Sequence, residues 1–104
     1  MSGAMLETHV FVEILKSWWN RGQEPRIYYY RDRDGREIDF VLVADGTLHP
    51  IEVKKTTQPG ASIARTFQSL DRLSMTRGQG AVVCLAQEML PLDRKTAAVP
   101  VGFL

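Results

Sequence analysis

Glu37-Ile38-Asp39-Phe40-Val41-Leu42-Val43-Ala44-Asp45-Gly46-Thr47-Leu48-His49-Pro50-Ile51-Glu52-Val53-Lys54 is the stretch whose patterning settles the fold class. Ile38, Phe40 and Leu42 alternate with Glu37, Asp39, Val41 and Val43, which predicts a strand over 37–43. Asp45-Gly46 is a strong two-residue hairpin signal, and 48–54 reads as the returning strand. Centring the turn on that dipeptide sets Ala44 opposite Thr47. Stepping outward, Phe40 then faces Ile51, Asp39 faces Glu52, Ile38 faces Val53 and Glu37 faces Lys54. One hairpin face is thereby expected to be apolar and the other to gather three carboxylates and a lysine. A three-residue loop or a bulge would slip this pairing by one. Pro50 is the awkward member, because it removes one ladder donor.

Outward from the hairpin, apolar side chains at Leu6, Val10, Phe11, Ile14, Leu15 and Trp18 predict a helix over 5–20, with Asn20 and Gly22 as its stop. A tyrosine-rich strand follows at 27–31, then a turn at Asp32-Arg33-Asp34-Gly35. Residues 56–62 form a loop with Pro59-Gly60, and Ser62 is the expected N-cap of a second helix reaching about Leu73. Gly78 and Gly80 lead into a strand at 81–85. The tail 98–103 is a candidate last strand, restricted by Pro100 to an edge or a strand end. The resulting order is helix, three strands, helix, strand, with helices burying both faces of a mixed sheet.

Length and composition bound the rest. The 104 residues fit a single domain, 44% hydrophobic and 24% charged, as in ordinary soluble proteins. Met1-Ser2-Gly3-Ala4 reads equally as native sequence or as an expression scar or truncation point. Net charge is +1, so no strongly basic footprint marks the chain, although five of nine arginines fall between Arg21 and Arg36. The single Cys84 lies in an apolar run and reads as a buried structural thiol. No stretch is long enough to span a bilayer and no signal-peptide pattern opens the chain, so the expected location is the cytoplasm, without a membrane partner.

Two carboxylates facing each other repel, and a lysine or a divalent cation would offset the cost. Glu7 adds an independent oddity. At 100° per residue it falls near the middle of the arc of Val10, Phe11, Ile14 and Trp18, where a carboxylate is costly unless paired or metal-linked. A place in the first helical turn, where acids favour the dipole, explains it equally well. Glu52-Val53-Lys54 is by itself a short pattern, and Asp93-Arg94-Lys95 repeats it in an apparent loop. A cross-strand ion pair of Glu37 with Lys54 on a solvated face accounts for the same residues without chemistry. His9 and His49 are isolated and read as structural or surface groups. Tyr28-Tyr29-Tyr30 reads as alternating buried strand tyrosines in preference to a base-stacking platform. Trp18-Trp19 reads as core plus a partly exposed neighbour, and Gln68 as a solvated glutamine.

Taken together, Asp39 and Glu52-Val53-Lys54 resemble the PD-(D/E)XK nuclease superfamily. More closely, residues 5–104 resemble the C-terminal domain of unknown function of bacterial and archaeal AAA-type ATPases. Leu6-Glu7, Glu13-Ile14-Leu15-Lys16, Tyr30-Arg31-Asp32, Gly35-Arg36-Glu37-Ile38-Asp39-Phe40 and Pro50-Ile51-Glu52-Val53-Lys54-Lys55 carry that likeness. It implies a restriction-endonuclease-like α/β core, with helix, three strands, helix and strand in order. It also implies a magnesium site, or manganese in its place, made by Asp39, Glu52, the Val53 carbonyl and Glu7. Lys54 would position and help deprotonate the attacking water, and Glu37 would be an extra ligand or the partner of Lys54. The implied partners are DNA and an attached ATPase domain, with an oligomer left open. No proline precedes Asp39, and no G-x-x-x-x-G-K-[ST] occurs, so this chain is not itself the ATPase. The alternative is an inactive module of nuclease fold that serves the ATPase as a regulatory or docking unit.

Overall fold

The structure, a computed structural model, describes residues 2–24 and 26–104. Helix α1 (Gly3–Asn20) begins two residues earlier than the periodicity suggests, because Ser2 caps it: the Met5 amide donates to Ser2 Oγ at 3.1 Å. Glu7 therefore sits beyond the first turn. Strands β1 (Ile27–Arg31), β2 (Glu37–Ala44) and β3 (Thr47–Val53) follow. Helix α2 (Ser62–Phe67) tightens into a 3₁₀ turn (Gln68–Arg72). After β4 (Thr76–Arg77) and β5 (Gly80–Cys84) comes a hairpin of β6 (Leu90–Asp93) and β7 (Thr96–Pro100), then a last 3₁₀ turn at Val101–Phe103.

The architecture is α/β, with a mixed seven-stranded sheet in the order β1-β2-β3-β5-β7-β6 and β4 lying beside β3. β1, β2 and β3 are antiparallel, whereas β5 runs parallel to β3 and β7 parallel to β5. One face packs Val10 and Ile14 of α1 against Phe40 and Val83. The other packs Phe67 and Leu70 against Ile38, Val41, Leu48 and Val82. Cys84 is fully buried, as its apolar run predicts.

Around the turn the hairpin register is the expected one: Ala44 faces Thr47, Leu42 faces His49 and Phe40 faces Ile51. Asp45 (φ 53°) and Gly46 (φ 73°) both adopt the left-handed conformation that a tight hairpin turn needs. Pro50 pairs with Val41 in the β2–β3 ladder, and on its other side it falls where β3 changes its parallel partner from β4 to β5, a break where a missing N–H is tolerated. Gly80 permits the close passage there, since a Cβ would come within 2.9 Å of the Pro50 ring and 3.1 Å of Phe67.

Several expectations are corrected. Helical segments pack on both hairpin faces, and apart from the turn only its open end, with Glu37 and Lys54, stays exposed. Between the Tyr28–Val41 and Tyr30–Ile38 pairs, β1 advances two residues and β2 three, so β2 carries a bulge at Asp39–Phe40. The extra residue sends Ile38 to the α2 face and Phe40 to the α1 face, although strict alternation puts them on one side. Ser62 is the first residue of α2 rather than its cap, and the α-helical part stops at Phe67. Tyr28 and Tyr29 are exposed on the edge strand, and only Tyr30 is half-buried, donating its hydroxyl to the Ser69 carbonyl at 3.3 Å. β4 and β6 are additional strands. The last strand starts at Thr96 and ends at Pro100, an interior strand whose proline takes the strand-end position.

Among the described residues no helix is long and apolar enough to cross a membrane.

Candidate functional site

The bulge places its extra residue where the β2–β3 ladder stops. Beyond the Phe40–Ile51 pair, side chains replace the backbone bonds. The Val53 amide donates to Asp39 Oδ2 at 2.8 Å, and the Asp39 amide donates to Glu52 Oε1 at 3.0 Å. Each carboxylate thus has one oxygen fixed by a backbone amide, and the two carboxyl groups lie within hydrogen-bonding reach of each other. Both side chains line a cleft of about 460 Å³ with Lys54, Arg36, Glu37 and the first turn of α2.

The electrostatics are those of an underneutralised pair. Glu52 is 9% exposed. Burial, followed by its hydrogen-bonded approach to the Asp39 carboxyl, pushes its pKa from the usual 4.5 up to about 7, and the charge of Lys54 only partly offsets this. Lys54 is exposed and makes no ion pair among the described residues. Its amide is anchored to the Val83 carbonyl at 2.9 Å, which fixes the stem at the end of β3.

Asp39, Glu52 and Lys54 are therefore brought together, and the Val53 backbone runs between them. Glu37 pairs with Arg31 (Nε to Oε1, 3.7 Å), and the expected cross-strand Glu37–Lys54 ion pair does not form although both residues line the cleft. Glu7 is exposed on α1 and lines a separate hollow with Ala4, Thr8, Phe11 and Phe40. It is not buried in the apolar face, because its neighbours Leu6, Val10 and Ile14 alone take the buried positions. Partial burial, then the negative charge of Asp39, holds its carboxyl above the usual range, so the two acids sense each other. Among the described residues, no three His, Cys, Asp or Glu side chains converge as a metal-holding group.

His49 binds the Gln79 carbonyl through Nδ1 at 2.8 Å, a structural role. Gln68 lies away from the carboxylates, along a neighbouring groove with Arg36, Arg65 and Arg72. Arg36 and the Ser62/Thr66 edge of the cleft escaped sequence reasoning, and no local signal marks them. They reach the site because α2 packs beside the open end of β2. Asp93-Arg94-Lys95, the repeat of the acid-x-lysine pattern, is the β6–β7 turn: Lys95 N donates to Asp93 Oδ1 at 2.8 Å.

No curated protein and no solved structure matches this chain. Residues 2–104 match the family described as Domain of unknown function (DUF4143). A match over that much of the sequence makes the chain a member of the DUF4143 family.

Proposed function

We propose that the chain is a magnesium-dependent, DNA endonuclease-like domain that hydrolyses phosphodiester bonds, built on a restriction-endonuclease-like core. The carrying observation is the Asp39–Glu52 pair: two carboxylates held by backbone amides and brought against each other at the wall of a cleft that Lys54, two residues beyond, also lines. The donor set suits a magnesium ion bound by two carboxylates with the remaining positions left to water and the Val53 carbonyl. Such an ion would neutralise the pair and supply Lewis-acid stabilisation of the scissile phosphate. Asp39 and Glu52 hold and orient. Lys54, on its fixed stem, positions the attacking water and takes part in its deprotonation. Glu7 adds negative potential from the α1 side. The element order, helix, three strands, helix and strand, supports the same reading, with the two-residue β4 interposed. The likeness to the C-terminal domain of AAA-type ATPases makes an ATPase domain in the same full-length protein the proposed partner, and the cytoplasm the proposed location.

The test is incubation with plasmid and branched DNA, with and without magnesium or manganese. Metal-dependent cleavage should vanish in Asp39→Asn, which keeps an acceptor for the Val53 amide, and in Lys54→Met. Cleavage that persists in both variants defeats the assignment.

A second reading has its own observation. The amide bonds to Asp39 and Glu52 staple the hairpin where its ladder ends, a structural task for both acids. The domain would then be an inactive regulatory or docking unit. Absence of any magnesium binding at millimolar concentration, with the fold intact, would favour it.

A further inference from the structure

We infer that the groove along Arg36, Arg65 and Arg72 binds the phosphate backbone of DNA and leads it to the Asp39–Glu52 pair, which deepens the function proposed above and rests on it. The groove holds about 610 Å³ and adjoins the carboxylate cleft, sharing Arg36, Ser62 and Thr66 with it. Three arginines line it against one acid, Asp71. Arg65 is exposed and forms no ion pair among the described residues.

The other two arginines are held at the rim. Arg72 Nη2 lies 2.8 Å from Asp34 Oδ2, and Arg36 Nη1 lies 4.0 Å from Asp32 and from Asp34. Asp32 is the buried anchor, with its side chain 6% exposed. Its Oδ1 accepts from the amides of Asp34 and Arg36 at 2.9 and 3.0 Å. Its Oδ2 has no hydrogen-bond partner and stands 4.0 Å from both Arg36 and Arg72. Asp32 thus steers the two guanidinium groups by charge without using up their N–H donors. A guanidinium has five such donors, and those of Arg36 remain free for phosphate oxygens. The side chains of Ser62 and Gln68 make no hydrogen bond among the described residues and suit the same acceptors.

Continuity with the carboxylate cleft favours DNA over an acidic peptide. A chain of phosphates seated on the arginines runs on to the acids and the lysine that the proposed function sets to act on a phosphodiester, whereas an acidic peptide would bring no group there for that chemistry to act on.

The experiment measures binding of short fluorescein-labelled duplex and single-stranded DNA to the full 104-residue chain in EDTA, across a salt series. Binding should weaken steeply with salt. Arg65→Glu should weaken it about tenfold and reduce the salt slope by about one. Arg65→Ala should do the same to a smaller degree, and thermal midpoints verify that both variants fold. Arg94→Glu changes net charge identically but lies in the β6–β7 turn at the far edge of the sheet, so it should leave binding unchanged. Equal effects of Arg65→Glu and Arg94→Glu, or displacement of DNA by polyglutamate at matched charge, would overturn the inference. Arg65-dependent binding without any magnesium-dependent cleavage upholds the groove and sinks the catalytic assignment. Cleavage lost in Asp39→Asn alongside binding indifferent to Arg65 does the opposite.

Discussion

The two ends of the β2–β3 hairpin obey different rules. At the turn, Asp45 and Gly46 take left-handed conformations and every pair from Ala44–Thr47 to Phe40–Ile51 keeps the register that the dipeptide dictates. At the open end, β2 carries an extra residue against β1, the ladder to β3 stops, and two carboxylates take over from carbonyl groups. The turn end is local chemistry, and its energetics are those of backbone conformation. The open end is made by three strands and a helix together, and its energetics are those of charge and desolvation. Irregularity at the open end re-aims Asp39 into the cleft, where a regular ladder would have left it alternating across a covered face.

The largest effect that would break this contrast is at Asp39. Asp39→Asn should lower magnesium-dependent cleavage on the order of 100-fold or more, an effect comparable to removing one preorganised electrostatic group, as read from initial rates. Its urea midpoint should move little, because an acceptor for Val53 remains. Asp39→Ala should additionally destabilise the fold by about 1–3 kcal/mol, since the Val53 amide loses its partner. If the alanine and asparagine variants unfold alike, the side chain is not substituting for a ladder bond.

Next comes Glu52. The folded chain holds a proton on this group between the usual 4.5 and about 7, where the unfolded chain has released it. Its contribution to stability is therefore fully present below about pH 4.5 and is lost as pH rises through about 7. Glu52→Gln keeps the acceptor for the Asp39 amide and removes the buried charge. It should be more stable than wild type at pH 8.5 by up to about 3 kcal/mol, with the gap closing toward pH 4.5. Denaturant melts at the two pH values check the sign. A constant gap would mean that Glu52 carries no strain of charge.

The turn end should respond more weakly and without regard to pH. Gly46→Ala meets open space but must hold φ 73°, so it should cost about 1–2 kcal/mol. The variant should keep whatever cleavage the wild type shows, which separates turn from site. The smallest effect is expected at Arg72→Ala. Its pair with Asp34 is solvent-exposed and Arg36 stays 4.0 Å from the buried Asp32 Oδ2, so the unfolding midpoint should shift little, while the salt dependence of DNA binding should change.

Much of the site was legible because its residues lie on neighbouring strands joined by a two-residue turn. The register places Asp39 beside Glu52 without any knowledge of the rest of the chain. Lys54 follows from the same count. Glu37 was misplaced, since its pairing with Arg31 depends on β1 and a bulge that no pattern in Glu37–Ala44 announces. The tyrosines of β1 were expected to alternate between buried and exposed, but only Tyr30 is half-buried; that strand is the edge of the sheet, and edge position is a property of the whole order of strands. Glu7 was read equally as a carboxylate on the apolar face and as a first-turn acid, and it is neither: the Ser2 cap starts the helix at Gly3, and a helical wheel ranks faces without saying how wide a stripe the sheet will cover. The covered stripe is narrow, and Glu7 falls outside it.

The sequence by itself determined the secondary elements of the first half, the tight Asp45-Gly46 turn, and the proximity of Asp39, Glu52 and Lys54. Each of these follows from alternation or turn chemistry over a few residues. Tertiary structure alone decided the bulge at Asp39–Phe40, the desolvation that lifts Glu52, and the arrival of Arg36, Arg65 and Arg72 beside the cleft. Those depend on how β1 is paired and where α2 packs, and such long-range contacts leave no period in the chain that makes them.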